Sequence, residues 1–396
     1  MGRLRHISEL DDRLVVGLMS GTSADGVDAV LAELRGHGRG MRFRIIGKHL
    51  RPYPSELRRA VLRYLETGDA KSTCVLNFAI AREFASAVNE LLGGLGIDRR
   101  EVHLVASHGQ TVYHAPRCAS VNGIRERCTL QLGSVAVIAE YTGVLTVGDF
   151  RVRDVAAGGE GAPIIAYVDY ALLSHPRRGR AVQNIGGIAN VTVLPPNPRL
   201  GDVYAFDTGP GNMMIDEAVR ILTRGELQYD VDGGLASRGT VDEQLLEKLM
   251  QHPFVRAPPP KTTGREEFGR HFTQRVVEEG LRRGLRPEDI VATLTAFTVK
   301  SIVYNYDRYV LPRVRIEEVV VGGGGVRNRV LMEMLRQELR QRGIRLVTHE
   351  ELGIDSKFKE ALGMAVLGHE ALSGVPNNVP GATGAGRRVV MGVFAL

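Results

Sequence analysis

Short apolar stretches along the chain are interleaved with longer ones of helical spacing. Residues 14–34 carry two apolar runs around a turn of small and polar residues, which predicts a β-hairpin, and residues 42–50 predict a third strand. Residues 54–67 and 72–92 predict helices, the second with Leu76, Ile80, Phe84, Val88 and Leu91 near helical spacing. Strands follow at 102–107, 130–132 and 144–147, with a helix at 134–141, and residues 115–128 read as a loop. A second round begins after residue 150. It has a helix at 162–173, a hairpin at 181–194 with Gly186 and Gly187 at its turn, and a strand at 203–206. Helices are predicted at 213–223, 241–251, 269–283 and 287–309, then strand 318–321, helix 329–342, strand 345–348 and helix 358–373. Two halves of this kind predict an α/β protein with mixed sheets covered by helices, and a ligand held in the cleft between the halves.

Length and composition narrow the picture. A chain of 396 residues predicts two domains. With 43% hydrophobic and 24% charged residues it reads as globular. The net charge of +6, mostly from arginine, suits an anionic substrate such as a nucleotide, or is simply an arginine-rich solvated surface. No basic run interleaved with aromatics points to nucleic acid. No apolar run approaches a membrane span, and residues 1–13 lack the apolar core of a secretory signal. Cys74, Cys118 and Cys128 form no CxxC motif; Cys118 and Cys128 bracket a loop and could pair, but reduced thiols in a cytoplasmic protein are the expectation.

Candidate chemistry gathers in six segments. The opening turn, Gly21-Thr22-Ser23-Ala24-Asp25-Gly26-Val27-Asp28, offers backbone N–H groups and hydroxyls to phosphate oxygens. Asp25 or Asp28 supplies a carboxylate for Mg²⁺, which usually binds through one or two carboxylates, phosphates and waters. An ordinary capped turn explains the same residues. In Asp207-Thr208-Gly209-Pro210-Gly211-Asn212, Asp207 ends a strand and is either a general base, a water-mediated metal contact or a helix cap, while Gly209 and Gly211 let phosphate approach. Gly322–Gly325 and Asn328 read as an adenosine-contacting turn, with Gly323 and Gly324 beside the ring and Asn328 capping the next helix, or as a plain strand-to-helix connection. Arg151 and Asp154 line a polar pocket or form surface ion pairs. His108 and Gln110 suit sugar contacts better than hydrolase chemistry, because no GxSxG surrounds Ser107. Lys261, in a Pro- and Thr-rich run, either approaches the cleft or belongs to a surface loop.

Together these segments resemble the anhydro-N-acetylmuramic acid kinases. The matching pieces are MSGTSADGVD (19–28), SHGQTVYH (107–114), TLQLG (129–133), GDFRVRDVAAGGEGAP (148–163) and NIGGIANVTVL (184–194). They continue with FDTGPGNMMID (206–216), PKTTGREEF (260–268), VVVGGGGVRN (319–328) and GIDSKFKEALGMAVL (353–367). Ala24, Glu160 and Ile164-Ile165-Ala166 depart from the usual Leu, Gln and Leu-Val-Pro. The resemblance implies two ribonuclease-H-like domains of the actin/hexokinase/Hsp70 type, here 1–147 with 375–396, and 148–374. It implies ATP and Mg²⁺, a homodimer, and phosphorylation of 1,6-anhydro-N-acetylmuramic acid coupled to opening of its anhydro bridge by water during peptidoglycan recycling. Asp207 matches the catalytic base, Glu360 a sugar-binding glutamate, and Arg151 and Asp154 substrate-pocket positions. An actin- or chaperone-like ATPase switch with a protein client is the rival expectation from the same fold. A dinucleotide-dependent oxidoreductase rests on the glycine turn alone.

Overall fold

The computed structural model describes residue 7, residues 9–21 and residues 23–396. Its contacts divide into two compact units, Met1–Leu173 with Phe358–Leu396, and Ser174–Lys357. The first unit holds strands β1 (Asp12–Ser20), β2 (Gly26–Arg35), β3 (Arg42–Pro52), β4 (Leu104–Val121), β5 (Ile124–Leu132) and β6 (Thr146–Gly148). The second holds β7 (Arg180–Ile185), β8 (Ile188–Leu194), β9 (Tyr204–Pro210), β10 (Glu318–Gly322) and β11 (Arg345–Thr348). The chain then returns to the first sheet as β12 (Val393–Ala395).

Both sheets are built to one plan. The first runs β12-β6-β4-β1-β2-β3, with β5 paired to β4, and the second runs β11-β10-β7-β8-β9. In each, three consecutive strands pair antiparallel, and two later ones, β4 and β6 in the first sheet and β10 and β11 in the second, join parallel on the far side of the first. The parallel steps need crossover connections, and helices supply them. This is the doubled mixed-sheet arrangement that the sequence predicts.

Strand alternation decides which residues meet the helices. Val16, Leu18, Ala29 and Leu31 join Leu76, Ile80, Phe84 and Val88 of helix Ala70–Leu95 in one buried cluster. The opposite face of β1 carries Gly17, where a Cβ would collide with the backbone of Ala361 and Ala365. Helix Lys359–Leu372 therefore lies directly on the strand. In the second unit, helices Met213–Leu222, Glu243–Met250, Arg270–Arg282, Pro287–Asn305 and Arg329–Gln341 bury their apolar sides against one core. Val319, Val320 and Val321 of β10 are fully buried, as expected of a central parallel strand covered on both faces.

Three expectations change. Residues 115–128 are a β-ribbon, not a loop: β4 and β5 continue to a tight turn at Asn122-Gly123, both with positive φ. Helix 287–309 is α-helical only to Asn305 and widens into a π-turn over Tyr306–Val310. The unit boundaries fall at 173/174 and 357/358 rather than 147/148 and 374/375. The reason is packing: helices Ile165–Leu173 and Lys359–Leu372 belong to the first unit, with Ile165 and Val168 against Gly363. Strand and helix spacing alone does not say which sheet a helix covers. Among the described residues, no helix is long and apolar enough to cross a membrane.

Candidate active site

In the first unit the opening turn is fastened to the neighbouring strand. Ser20 Oγ donates to Gln110 Oε1 at 2.7 Å, and Gln110 Nε2 donates to the Gly21 carbonyl at 3.0 Å. Gln110 is buried, so its amide holds the turn rather than facing a sugar. Ala24 N–H closes the turn on Gly21 O, and Tyr53 N–H donates to Asp25 O. Ser23 and Asp25 are exposed, Asp28 is half-buried, and Gly26 is buried against β3. Ala24 and Val27 turn their side chains into the core, which leaves only backbone for a nucleotide at those positions. Thr22 lies outside the described residues.

A second feature of this unit is a bulge. Leu18 pairs with Ser107 and Ser20 with Gln110, so His108-Gly109 contains one residue more than β1 does. Bulges re-aim side chains and recur beside active sites. Here the buried His108 ring receives Arg151 Nε–H on Nε2 at 3.0 Å and lies with Nδ1 3.0 Å from Gly109 O. Burial pushes His108 down to about 3, and the nearby Arg151 guanidinium adds to this. Arg151 is half-buried, and its other contact is the Gly161 carbonyl at 2.6 Å. Burial lowers its proton affinity against the pull of Glu360 and Asp154. The Glu360 side chain reaches solvent, yet surrounding protein raises its carboxyl above the usual range, with Arg151 and Lys359 opposing. Lys359 is itself paired with Asp169 at 2.6 Å.

Asp154 differs from the pocket-lining role expected of it. It is fully buried, and it accepts from Asn378 Nδ2 at 2.8 Å, Thr383 Oγ1 at 2.9 Å and Gly161 N at 2.9 Å. It ties the tail and the Gly158–Gly161 turn to helix Phe150–Ala156, behind Arg151.

In the second unit Asp207 is half-buried near the end of β9. Asn190 pairs with Asp207 and Ala189 with Gly209, so Thr208 is the extra residue of a second bulge. Thr208 Oγ1 donates to Ala189 O at 3.1 Å, and Asn305 Nδ2 donates to Thr208 O at 2.9 Å. Thr298 Oγ1 holds Gly211 O at 2.9 Å. Asp207 caps no helix; its Oδ2 accepts from Thr263 N–H at 2.8 Å. Gly209 packs against Ser301 and Gly211 against Gly186. Thr298, Ser301 and Asn305 form a polar stripe on the buried helix Pro287–Asn305. That stripe has a sequence signal in its i, i+3, i+7 spacing.

The glycine turn after β10 is also built for close approach. Gly323 has φ +87°, and a Cβ there would strike Asn184 and Ile185. Asn328 caps helix Arg329–Gln341 by accepting from Leu331 N–H at 3.0 Å, as predicted. Gly324 and Asn328 line a cavity of about 270 Å³ together with Asn212, Asp216, Tyr229 and Arg327. Burial pushes the Asp216 carboxyl up to about 6; Arg220 opposes and Asp230 adds. Asp216 and Tyr229 are additions to the candidate residues that the sequence offers. The i, i+4 pair Asn212 and Asp216, on one face of a helix just after a Gly-Pro-Gly turn, was the available signal.

Two units of one strand order, the first opened by a glycine turn and the second carrying an aspartate at a strand bulge, define an α/β protein of the actin and hexokinase type. A family model described as anhydro-N-acetylmuramic acid kinase matches residues 13–395. The anhydro-N-acetylmuramic acid kinase of Caldanaerobacter subterraneus subsp. tengcongensis is 44% identical over 398 residues, covering 100% of each chain. That of Bacillus cereus is 41% identical over 380 residues, 96% of this chain and 98% of the other. Among solved structures, the (R)-2-hydroxyglutaryl-CoA dehydratase component A of Acidaminococcus fermentans aligns with 91% of this chain and 99% of its own, at TM-score 0.46 and 13% identity. The chain belongs to the anhydro-N-acetylmuramic acid kinase family, a family of ATP-dependent sugar kinases. The protein-client switch gains no support from these relatives.

Proposed function

We propose that this chain phosphorylates 1,6-anhydro-N-acetylmuramic acid at O6 with ATP and Mg²⁺, and opens the anhydro bridge with water in the same reaction. The observation that carries the proposal is Asp207, a half-buried carboxylate that accepts from the Thr263 backbone N–H beside a strand bulge. Asp207 takes a proton from the water that attacks the anomeric carbon. The C1–O6 bond breaks, and O6 attacks the γ-phosphorus of ATP, releasing ADP. In-line transfer of this kind is catalysed mostly by positioning and charge neutralisation. Arg151, oriented by His108, is suited to a carboxylate on the sugar, and Glu360 to its hydroxyls. The turn at Gly21–Asp28 addresses the phosphates, and the cavity at Asp216, Gly324 and Asn328 takes the nucleoside.

Mg²⁺ fits the chemistry of the opening turn. Asp25 is an exposed hard carboxylate beside a backbone-rich turn, and one such ligand with phosphates and waters is an ordinary Mg²⁺ set. Among the described residues, no cluster of three or more His, Cys, Asp or Glu groups offers an all-protein site, which agrees with a metal held largely by the nucleotide. Bound there, Mg²⁺ would neutralise charge on the transferring phosphate. A homodimer in the cytoplasm completes the proposal, and sedimentation tests the first part.

The test is incubation with ATP, Mg²⁺ and the anhydro sugar in ¹⁸O-labelled water. The expected product is the 6-phosphate with label at the anomeric hydroxyl. A preparation that phosphorylates only unrelated sugars, or a product without label at that carbon, overturns the proposal.

A further inference from the structure

Lys261 is an unusual lysine. Its side chain is 9% exposed, whereas lysines ordinarily carry the ammonium out to water. Its Nζ donates to the carbonyls of Phe254 at 2.9 Å and Val255 at 3.0 Å. The same nitrogen lies 4.9 Å from the ring centroid of Phe254 and 5.5 Å from that of Tyr309. Neutral carbonyls and ring faces stabilise a cation, but a buried charge is costly when no anion helps. Burial pushes the ammonium down to about 8, and the charge that pulls it back up is that of Asp207.

The backbone at Lys261 leads to the same carboxylate. Asp207 N–H donates to Lys261 O at 3.1 Å, and two residues on, Thr263 N–H donates to Asp207 Oδ2 at 2.8 Å. β9 is the outer strand of its sheet, so residues 261–263 form a strap along that edge at Asp207. A strap without regular pairing needs an anchor, and the caged ammonium is the anchor.

We propose that Lys261 is a positioning residue for the kinase reaction: its buried cation fixes the strap that aims the Asp207 carboxylate, and its charge attracts that carboxylate. The proposal rests on the reading of Asp207 as the base. With its Nζ bonded to the Phe254 and Val255 carbonyls, Lys261 acts through Asp207.

The test is a double-mutant cycle of Lys261→Met and Asp207→Asn, read in single turnover with the full-length enzyme, ATP, Mg²⁺ and the anhydro sugar. Methionine keeps a stem between the two rings and removes the charge and its donors. Lys261→Met is expected to lower the turnover rate by about ten- to a hundredfold, the usual cost of a misplaced catalytic group. KM for sugar and for ATP should stay within about twofold, because only the base is misaimed. In the Asp207→Asn background the same change should alter the residual rate by less than about twofold, because the group it acts through is gone. A merely structural lysine would lower both rates by one factor, and that result overturns the inference. So does a Lys261→Met enzyme with wild-type turnover. Should that variant fail to fold, Lys261→Gln, which keeps N–H donors without charge, is read in the same cycle against the same limits. If Asp207→Asn alone retains full activity, the base reading fails first; if Asp207→Asn is inactive and Lys261→Met is not, only the present inference fails.

Discussion

Arg151 donates its Nε–H to Nε2 of His108 across 3.0 Å, and this one bond settles the state of both side chains. A guanidinium only donates, so Nε2 must accept, and the ring proton sits on Nδ1 facing Gly109 O. His108 is thus a neutral, buried acceptor, in keeping with its depression to about 3. The pH–rate profile should therefore show no ionisation from His108 between about pH 5 and 9. His108→Leu should leave the guanidinium held only by the Gly161 carbonyl and raise KM for the sugar by about tenfold, the scale of one hydrogen bond to a charged group. An ionisation near 6.5 that vanishes on this substitution would contradict the assignment.

Asp154 supports Arg151 from behind and should prove structural. Asp154→Ala would leave Gly161 N–H buried without its acceptor, and would leave Asn378 Nδ2 and Thr383 Oγ1 with only their longer bonds to Arg387 O at 3.2 Å and Val379 O at 3.3 Å. One such orphan costs about 1–3 kcal/mol and the two weakened bonds add to it, so a loss of about 2–3 kcal/mol is expected. Thermal melting measures it. Asp154→Asn should lose less, because the carbonyl oxygen can still accept. A variant as stable as the parent with a raised KM for sugar would return Asp154 to the pocket.

Element order and the chemical residue types were legible in the chain, because apolar spacing and glycine turns are local signals. Asp207, Arg151 and His108 stood out by type and position. What escaped is set by neighbours distant in sequence. The bulges at His108-Gly109 and Thr208 exist only in the pairing of β4 with β1 and of β9 with β8. Gln110 read as a sugar contact because the Ser20 hydroxyl and Gly21 carbonyl that occupy it lie about ninety residues away. The sequence does not decide whether Lys261 lies at the cleft or the surface, because its carbonyl cage is made by a short helix, Pro253–Arg256, that spacing does not reveal. The ribbon over residues 115–128 is a different case. Asn122-Gly123 is a strong hairpin turn signal, but the arginine-bearing stretch around it lacks the clean alternation that marks strands.

The role of Asp207 is tested by Asp207→Asn. The asparagine carbonyl can accept from Thr263 N–H as the carboxylate does, so the bulge and the fold should survive. Nucleotide affinity should be unchanged, and turnover should fall by about 10²–10⁴, the usual worth of a general base. Equilibrium nucleotide binding and a product assay separate the two. Near-normal turnover would remove Asp207 from the chemistry.

Asp216 offers a test in which pH gives the sign. In the folded protein its carboxyl is raised to about 6, against an ordinary value of 3.8. A raised acid favours the folded state only while protonated. That contribution is complete below about pH 3.8 and lost as pH rises through about 6, so at neutral pH the ionised group is a burden. The shift corresponds to about 3 kcal/mol at most, and partial exposure reduces it to about 1–2 kcal/mol. Asp216→Asn should therefore melt higher than the parent at pH 7.5, with the gap closing as pH falls towards 4. A destabilising carboxylate retained in a cavity lined by Tyr229 and Gly324 implies a use, and acceptance of nucleoside hydroxyls is the one its position suits. The same variant should then raise KM for ATP at pH 7.5, and the parent's KM should rise as pH drops below about 6. A melting gap that stays constant from pH 7.5 to 4 would show that burial of this charge is not what separates the two proteins.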